Sequence, residues 1–229
     1  MKIGVIVAME KEFKQLENII ENKNIEEKNG FTYIIGKIKH HIIIAQQCGI
    51  GKVNAAMGTM NLIQNYSPQA VISTGVAGGA DENLNVKDVV VSTACAYHDL
   101  YCGKDCEFGQ IPLFPAIYHS DVRLVAKADR IKTDLIIKKG LIVTGDWFVD
   151  DVKKMESILK KHPKALAVDM ESCAIAQVCH VQHLPFVSLR IISDVPKKPN
   201  NAAQYHDFWD NIAQNSFDIT RKFLESISR

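Results

Sequence analysis

The sequence predicts an α/β fold, a three-layer sandwich in which a mixed β-sheet lies between helices. Short β-branched apolar runs alternate with segments whose apolar residues recur at helical spacing. Glycines cluster where the runs end, and one adjacent pair of runs reads as a hairpin. The 229 residues, 47% of them hydrophobic, suffice for one full core, and no linker, repeat or low-complexity tract divides positions 1–229, so one domain is expected.

The chain opens on KIGVIVA (2–8), a strand, and residues 9–22 follow with Phe13, Leu16, Ile19 and Ile20 at helical spacing. A polar stretch (21–30) leads into FTYIIGKI and HHIIIAQQ, joined at Lys39-His40 as the hairpin that makes the sheet mixed. In GIGKVNAAMGTMNLIQNY a glycine turn feeds a helix carrying Val53, Met57, Met60 and Leu62. AVISTGVAGGA is a buried strand ending in glycines, and VKDVVVSTACAY and GLIVTGDWFV are further strands. ALAVDMESCAIAQVCH runs from strand to helix, LPFVSLRIISD is a strand with a polar end, VPKKPNN (195–201) is a loop, and 203–228 is a closing helix.

In such sheets ligands gather at the carboxyl ends of strands. Glu12, Gly78, Asp146, Glu171 and Asp194 all lie just beyond predicted strands and point toward one rim. Lys plus Arg (27) nearly cancels Asp plus Glu (26) without a dense basic block, which argues against nucleic acid or anionic lipid and for a small ligand. The first residues lack a signal-peptide pattern and no apolar stretch approaches a membrane span, so the cytoplasm is the expected compartment. Six scattered cysteines (48, 95, 102, 106, 173, 179) then read as reduced thiols. His98, Cys102 and Cys106 lack the paired second cluster of a zinc site, so no metal is expected, and no cofactor. GIGKVN misses the dinucleotide fingerprint because Asn54 replaces its third glycine.

Serine-hydrolase and kinase signatures are absent. Acids at several strand ends, an arginine near an acid in RIISD, and glycine turns that let backbone approach a ligand leave a carboxylate acid–base pair as the chemistry most available.

AMEKE (8–12), CGIGKVNAA (48–56), TGVAGG (74–79), VVVSTACAYHD (89–99), GQIP (109–112), GLIVTGD (140–146), AVDME (167–171) and LRIISD (189–194) together resemble the 5′-methylthioadenosine/S-adenosylhomocysteine nucleosidases, in that family's order and across nearly the whole chain. The resemblance implies the nucleoside phosphorylase-like α/β/α sandwich and hydrolysis of the N-glycosidic bond of one or both nucleosides. It implies that Glu12 activates water, that Arg190 helps place water and carboxylate, and that Asp194, beside Ser193, protonates N7 of adenine. Glu171 would accept hydrogen bonds from the ribose hydroxyls, with Met170 against the sugar. Phe148 and Val149 would hold the base, Gly78 would lie against the ligand, and Ile50 and Tyr205 would line the 5′-thio pocket. A homodimer is also implied, in which the 97–112 segment of one subunit closes the other's 5′-pocket. The cluster Phe108, Ile111, Pro112, Leu113 and Phe114 is too apolar for an ordinary solvent loop. Val76 in place of a frequent serine, Trp147 in place of a small residue, and a loop after His98-Asp99 one residue short depart from the family pattern. These departures bear on the 5′-substituent more than on the reaction.

An N-glycoside hydrolase needs an acid at the base and a carboxylate at the water, as inverting glycosidases do. Asp194 must then hold a proton near neutral pH through burial or a neighbouring charge, and Glu12 must stay ionised. A phosphorylase would need a cationic cradle, yet none of the five arginines (123, 130, 190, 221, 229) lies in the early Gly-rich loops. Nucleosidases for futalosine, adenosine or inosine remain alternatives, as does a nucleoside-binding protein without catalysis, which the joint presence of Glu12, Glu171 and Asp194 opposes.

Overall fold

Strand β1 (Lys2–Val7) runs parallel to both of its neighbours, β4 (His41–Gln47) and β5 (Ala70–Gly79), and thus forms the middle of the sheet. Its alternation decides the layering. Ile3, Val5 and Val7 face one core together with Phe13 and Leu16 of α1 (Glu10–Ile19), whereas Ile6 faces a second core with Ala55 and Leu62 of α2 (Lys52–Tyr66). A computed structural model describes residues 1–198, 201–212 and 217–227.

The predicted hairpin is β3 (Phe31–Ile38) with β4, antiparallel with Ile38 opposite His41. The polar stretch before it is itself a strand, β2 (Glu21–Lys28), paired antiparallel to β3 at the end of the sheet. It carries no apolar alternation because almost all of it is exposed, and its charges suit an edge that must not recruit another strand.

On the other side of β5 the sheet turns back on itself. Here β6 (Val89–Tyr97), β8 (Ile137–Thr144), β9 (Ala165–Asp169) and β10 (Phe186–Asp194) form the series β10-β6-β8-β9-β5, and β10 also pairs parallel with β5, closing the circuit. The short β7 (Ile117–His119) hangs on β6. Every residue of β10 is buried, as befits a strand paired on both sides. The mixed sheet between helices is the predicted architecture, and its closed half is a feature that periodicity does not reveal.

Helices α3 (Val122–Val125), α4 (Val152–Lys161) and α5 (Ser172–Val181) follow β7, β8 and β9. The predicted helix 203–228 is not continuous. It consists of α6 (Asn201–Asp207), a π-helical turn (Phe208–Ile212) and α7 (Asp218–Ser226), with 213–216 and 228 outside the described residues. Residues 199 and 200 of the predicted loop also lie outside them. In α2 the buried face is Ala55, Gly58, Thr59 and Leu62, while Val53 and Met57 are exposed and Met60 is half-buried, so half of the apolar repeat read from the sequence faces outward.

Candidate active site

Six strands deliver their carboxyl-terminal tips to one cleft of about 620 Å³, part of it open solvent. Ala8 and Met9 follow β1, Ile50 follows β4, and Val76–Gly78 end β5. Trp147–Val149 follow β8, Val168–Glu171 end and follow β9, and Ser193 and Asp194 end β10. Tyr205 reaches in from α6. The tips meet because the closed half of the sheet turns β9 and β10 inward, so acids distant in sequence become neighbours.

Arg190, in the middle of β10, is only 1% exposed and serves as the hub of one end. Its Nε lies 2.8 Å from Asp169 Oδ2, and its Nη2 lies 3.6 Å from Glu171 Oε2. The guanidinium also donates to Ser73 Oγ (3.1 Å) and to Ser172 Oγ (3.2 and 3.1 Å). Ser172 in turn donates to Asp169, whose other oxygen accepts from Thr144 Oγ1 at 2.6 Å. These partners satisfy a fully buried charge, which the interior tolerates only when it is paired and hydrogen-bonded.

Glu12 faces the same guanidinium from the first turn of α1. Its Oε2 accepts from the N–H groups of Ala8 (3.0 Å) and Met9 (2.9 Å), and its Oε1 accepts from Val76 N–H (3.0 Å). A side chain at Gly75 would put its Cβ 2.4 Å from Glu12 Oε1 and 2.5 Å from Arg190 Nη1, so glycine there is what lets carboxylate and guanidinium converge. Burial raises the Glu12 pKa, against the opposing pull of Arg190 and the three N–H donors. Glu171 is likewise raised, first by burial and further by the Asp169 and Glu12 charges, against Arg190 and a hydrogen bond from Gly51 N–H to Oε1 (3.0 Å). For both glutamates burial outweighs the single guanidinium, so their proton affinity is raised.

Asp194 forms the other end and is differently built. It is 5% exposed, and Ser193 Oγ donates to its Oδ1 at 2.7 Å. Burial raises its pKa from 3.8 to about 6, against Ser193 and with help from the Asp150 charge. Phe148, 53% exposed, meets the Tyr205 ring edge-on at 5.3 Å, and the two make an aromatic corner at the mouth of the cleft. Trp147 stands beside it with Lys154 Nζ 4.0 Å above its ring.

Ile50, Gly78, Phe148, Val149, Met170, Glu171, Ser193, Asp194 and Tyr205 all line the cleft. Glu12 and Arg190 lie behind the lining, joined to it through Val76 and Glu171. Sequence reasoning missed Asp169, the nearest ionic partner of Arg190. AVDME contains it, but an acid at a strand end looks the same whether it meets solvent or an arginine from a strand 21 positions on. Among the described residues the lining contains no Lys, Arg or His. No group of three His, Cys, Asp or Glu side chains among them is arranged to hold a metal, and no helix among them is long and apolar enough to cross a membrane. Of the apolar cluster at 108–114, Pro112 and Leu113 are exposed, whereas Phe108, Ile111 and Phe114 are half-buried, with Phe108 against His162.

Residues 2–225 match the phosphorylase superfamily. A 5′-methylthioadenosine/S-adenosylhomocysteine nucleosidase of Bacillus thuringiensis (strain Al Hakam) is 39% identical over 99% of this chain and 100% of its own. The nucleosidase of that name from S. pneumoniae, solved with the transition-state inhibitor MT-ImmA, superposes with a TM-score of 0.93 at 34% identity and 100% coverage of both chains. That from Colwellia psychrerythraea 34H, in complex with adenine, superposes at 0.91 with 33% identity over 99% of this chain and 95% of its own. The chain therefore belongs to the 5′-methylthioadenosine/S-adenosylhomocysteine nucleosidase family, and it is an N-glycosyl hydrolase.

Proposed function

We propose that the chain hydrolyses the N-glycosidic bond of 5′-methylthioadenosine, S-adenosylhomocysteine or both, releasing adenine. As that bond breaks, positive charge builds on the ribose while the purine leaves as an anion. Asp194, with a pKa of about 6, is the acid that delivers a proton to N7. Glu12 is the base that takes a proton from the attacking water. Three N–H donors fix its carboxylate, and the same burial that raises its proton affinity makes it a stronger base. Arg190 orients that carboxylate, Glu171 receives the ribose hydroxyls against Met170, and Phe148 and Val149 hold the base. Ile50 and Tyr205 face the 5′-substituent.

The observation that carries the hydrolytic reading over a phosphorolytic one is the lining itself. Phosphate needs cations that face it, yet among the described residues the guanidinium nearest the lining, Arg190, is already engaged by Asp169 and Glu171. The test is chromatographic detection of adenine released from both nucleosides, with and without phosphate. Equal release in both arms is expected. Turnover that needs phosphate and yields a sugar 1-phosphate would overturn the reading.

A homodimer is the proposed assembly. Exposed Val53 and Met57 share one face of α2, and Leu113 projects fully into solvent, apolar area that a monomer would leave in water. Light scattering should give twice the chain mass, and a fully active monomer on dilution would refute the proposal.

A further inference from the structure

Beside the cleft, three charged residues close a ring that the reaction does not use. Lys52, at the start of α2, donates from Nζ to both carboxylate oxygens of Asp99 (2.8 and 2.7 Å) and lies 3.8 Å from Asp146 Oδ2. Its own backbone N–H donates to Asp146 Oδ1 at 2.8 Å, and Asp146 N–H donates to Asp99 Oδ2 at 2.8 Å. The ring therefore ties the turn before α2 to the tip beyond β6 and the segment beyond β8. Two of these segments lead directly into the cleft. Gly51, one residue before Lys52, donates its N–H to Glu171, and Phe148 lies two residues after Asp146. Gly51 has φ +94°, and a Cβ there would lie 3.0 Å from Asp146 Oδ1, so backbone and carboxylate meet closely where the ring joins the helix.

Side-chain exposures of 24% for Lys52, 22% for Asp99 and 46% for Asp146 mean that solvent screens these pairs, so they add little to global stability. What they supply is position. We infer that Lys52 is a positioning residue that, through Asp99 and Asp146, holds the Phe148 segment and Glu171 in one rigid frame. The inference rests on the proposed roles of those two residues in binding base and ribose. Contacts to base and sugar already exist in the bound substrate, so loosening the frame weakens ground-state binding more than the chemical step.

The test uses the full-length Lys52→Met and Asp99→Asn variants and their double mutant. Each single change should raise KM for the nucleoside by about tenfold while kcat stays within about threefold. The double mutant should be no worse than either single, because both break one ring. Hydrogen–deuterium exchange of Lys52→Met should quicken at 49–52 and 145–149 and stay unchanged in β1 and β10. A fall in kcat at constant KM, additive losses in the double mutant, or unchanged exchange at 145–149 would overturn the inference. So would faster exchange throughout the chain. The wild-type arm tests the proposed function separately: if wild type releases no adenine that reading fails, while the exchange pattern still decides the frame.

Discussion

The two ends of the cleft hold carboxyl groups of similar burial in opposite surroundings. At the Arg190 end, Glu12, Asp169 and Glu171 share one guanidinium and a set of hydroxyl and N–H donors. At the other end Asp194 has one serine hydroxyl and a second aspartate, Asp150, whose charge opposes its ionisation. Burial raises proton affinity at both ends, but the Arg190 end sets a guanidinium and several N–H donors against it, whereas Asp194 has a serine hydroxyl against it and a second negative charge with it. The proposed division of labour between these chemically similar groups rests on that difference in surroundings.

The largest test of that contrast is to remove each group's ionisation in turn. Asp194→Asn should lower kcat by about a thousandfold or more, close to 4 kcal/mol, with substrate binding largely kept. On a nucleoside whose base is electron-poor and leaves readily, the deficit should shrink. For Glu12→Gln it should persist on both, since water must be activated whatever departs. Equal losses for Asp194→Asn on the two substrates would remove Asp194 from the acid role.

The same substitution sharpens the comparison through stability. A carboxyl raised from 3.8 to about 6 supports the fold below its unfolded value, and that support is lost as pH rises through the folded value. Asp194→Asn should therefore match wild type below about pH 4 and exceed it above about pH 6, by up to about 3 kcal/mol. Thermal melts across pH 3.5–8 would check it, and a mutant less stable at pH 8 would sink the idea that Asp194 ionises at a cost. An active site would then be less stable than it could be because it works.

The smallest effect concerns Ser193, whose hydroxyl is the one donor set against Asp194's burial. For the free enzyme kcat/KM should fall as pH rises through about 6, where Asp194 loses its proton. Ser193→Ala should move that limb upward by roughly half a pH unit. A downward move, or none, would mean that the limb reports another group.

The strand and helix alternation was legible because buried strands such as 70–79 and 186–194 are rich in apolar, β-branched residues, and because the motifs mark where those strands end. What stayed hidden has local causes. Strand β2 is almost wholly exposed and leaves no apolar signature. Val53 and Met57 fit a helical repeat, but small residues, Ala55 and Gly58, fill the inner face where α2 packs closely, so the bulky ones are left outside. Asp169 and Lys52 were unremarkable because their partners are Arg190 and Asp99, set by how the sheet curls and where the loop tips meet rather than by spacing along the chain.

The closed circuit of β5, β6, β8, β9 and β10 has a consequence for how the enzyme comes into being. Glu12 emerges early in the chain, yet Asp169, Arg190 and Asp194 follow more than 150 residues later, and β10 is the strand that joins both ends of the circuit. Contacts so distant in sequence are slow to form, because loop closure must precede any reward. Until β10 has paired with β5 and β6, Glu12 has no arginine to meet and the cleft no Asp194. Recovery of activity on refolding therefore reports the pairing of that one strand.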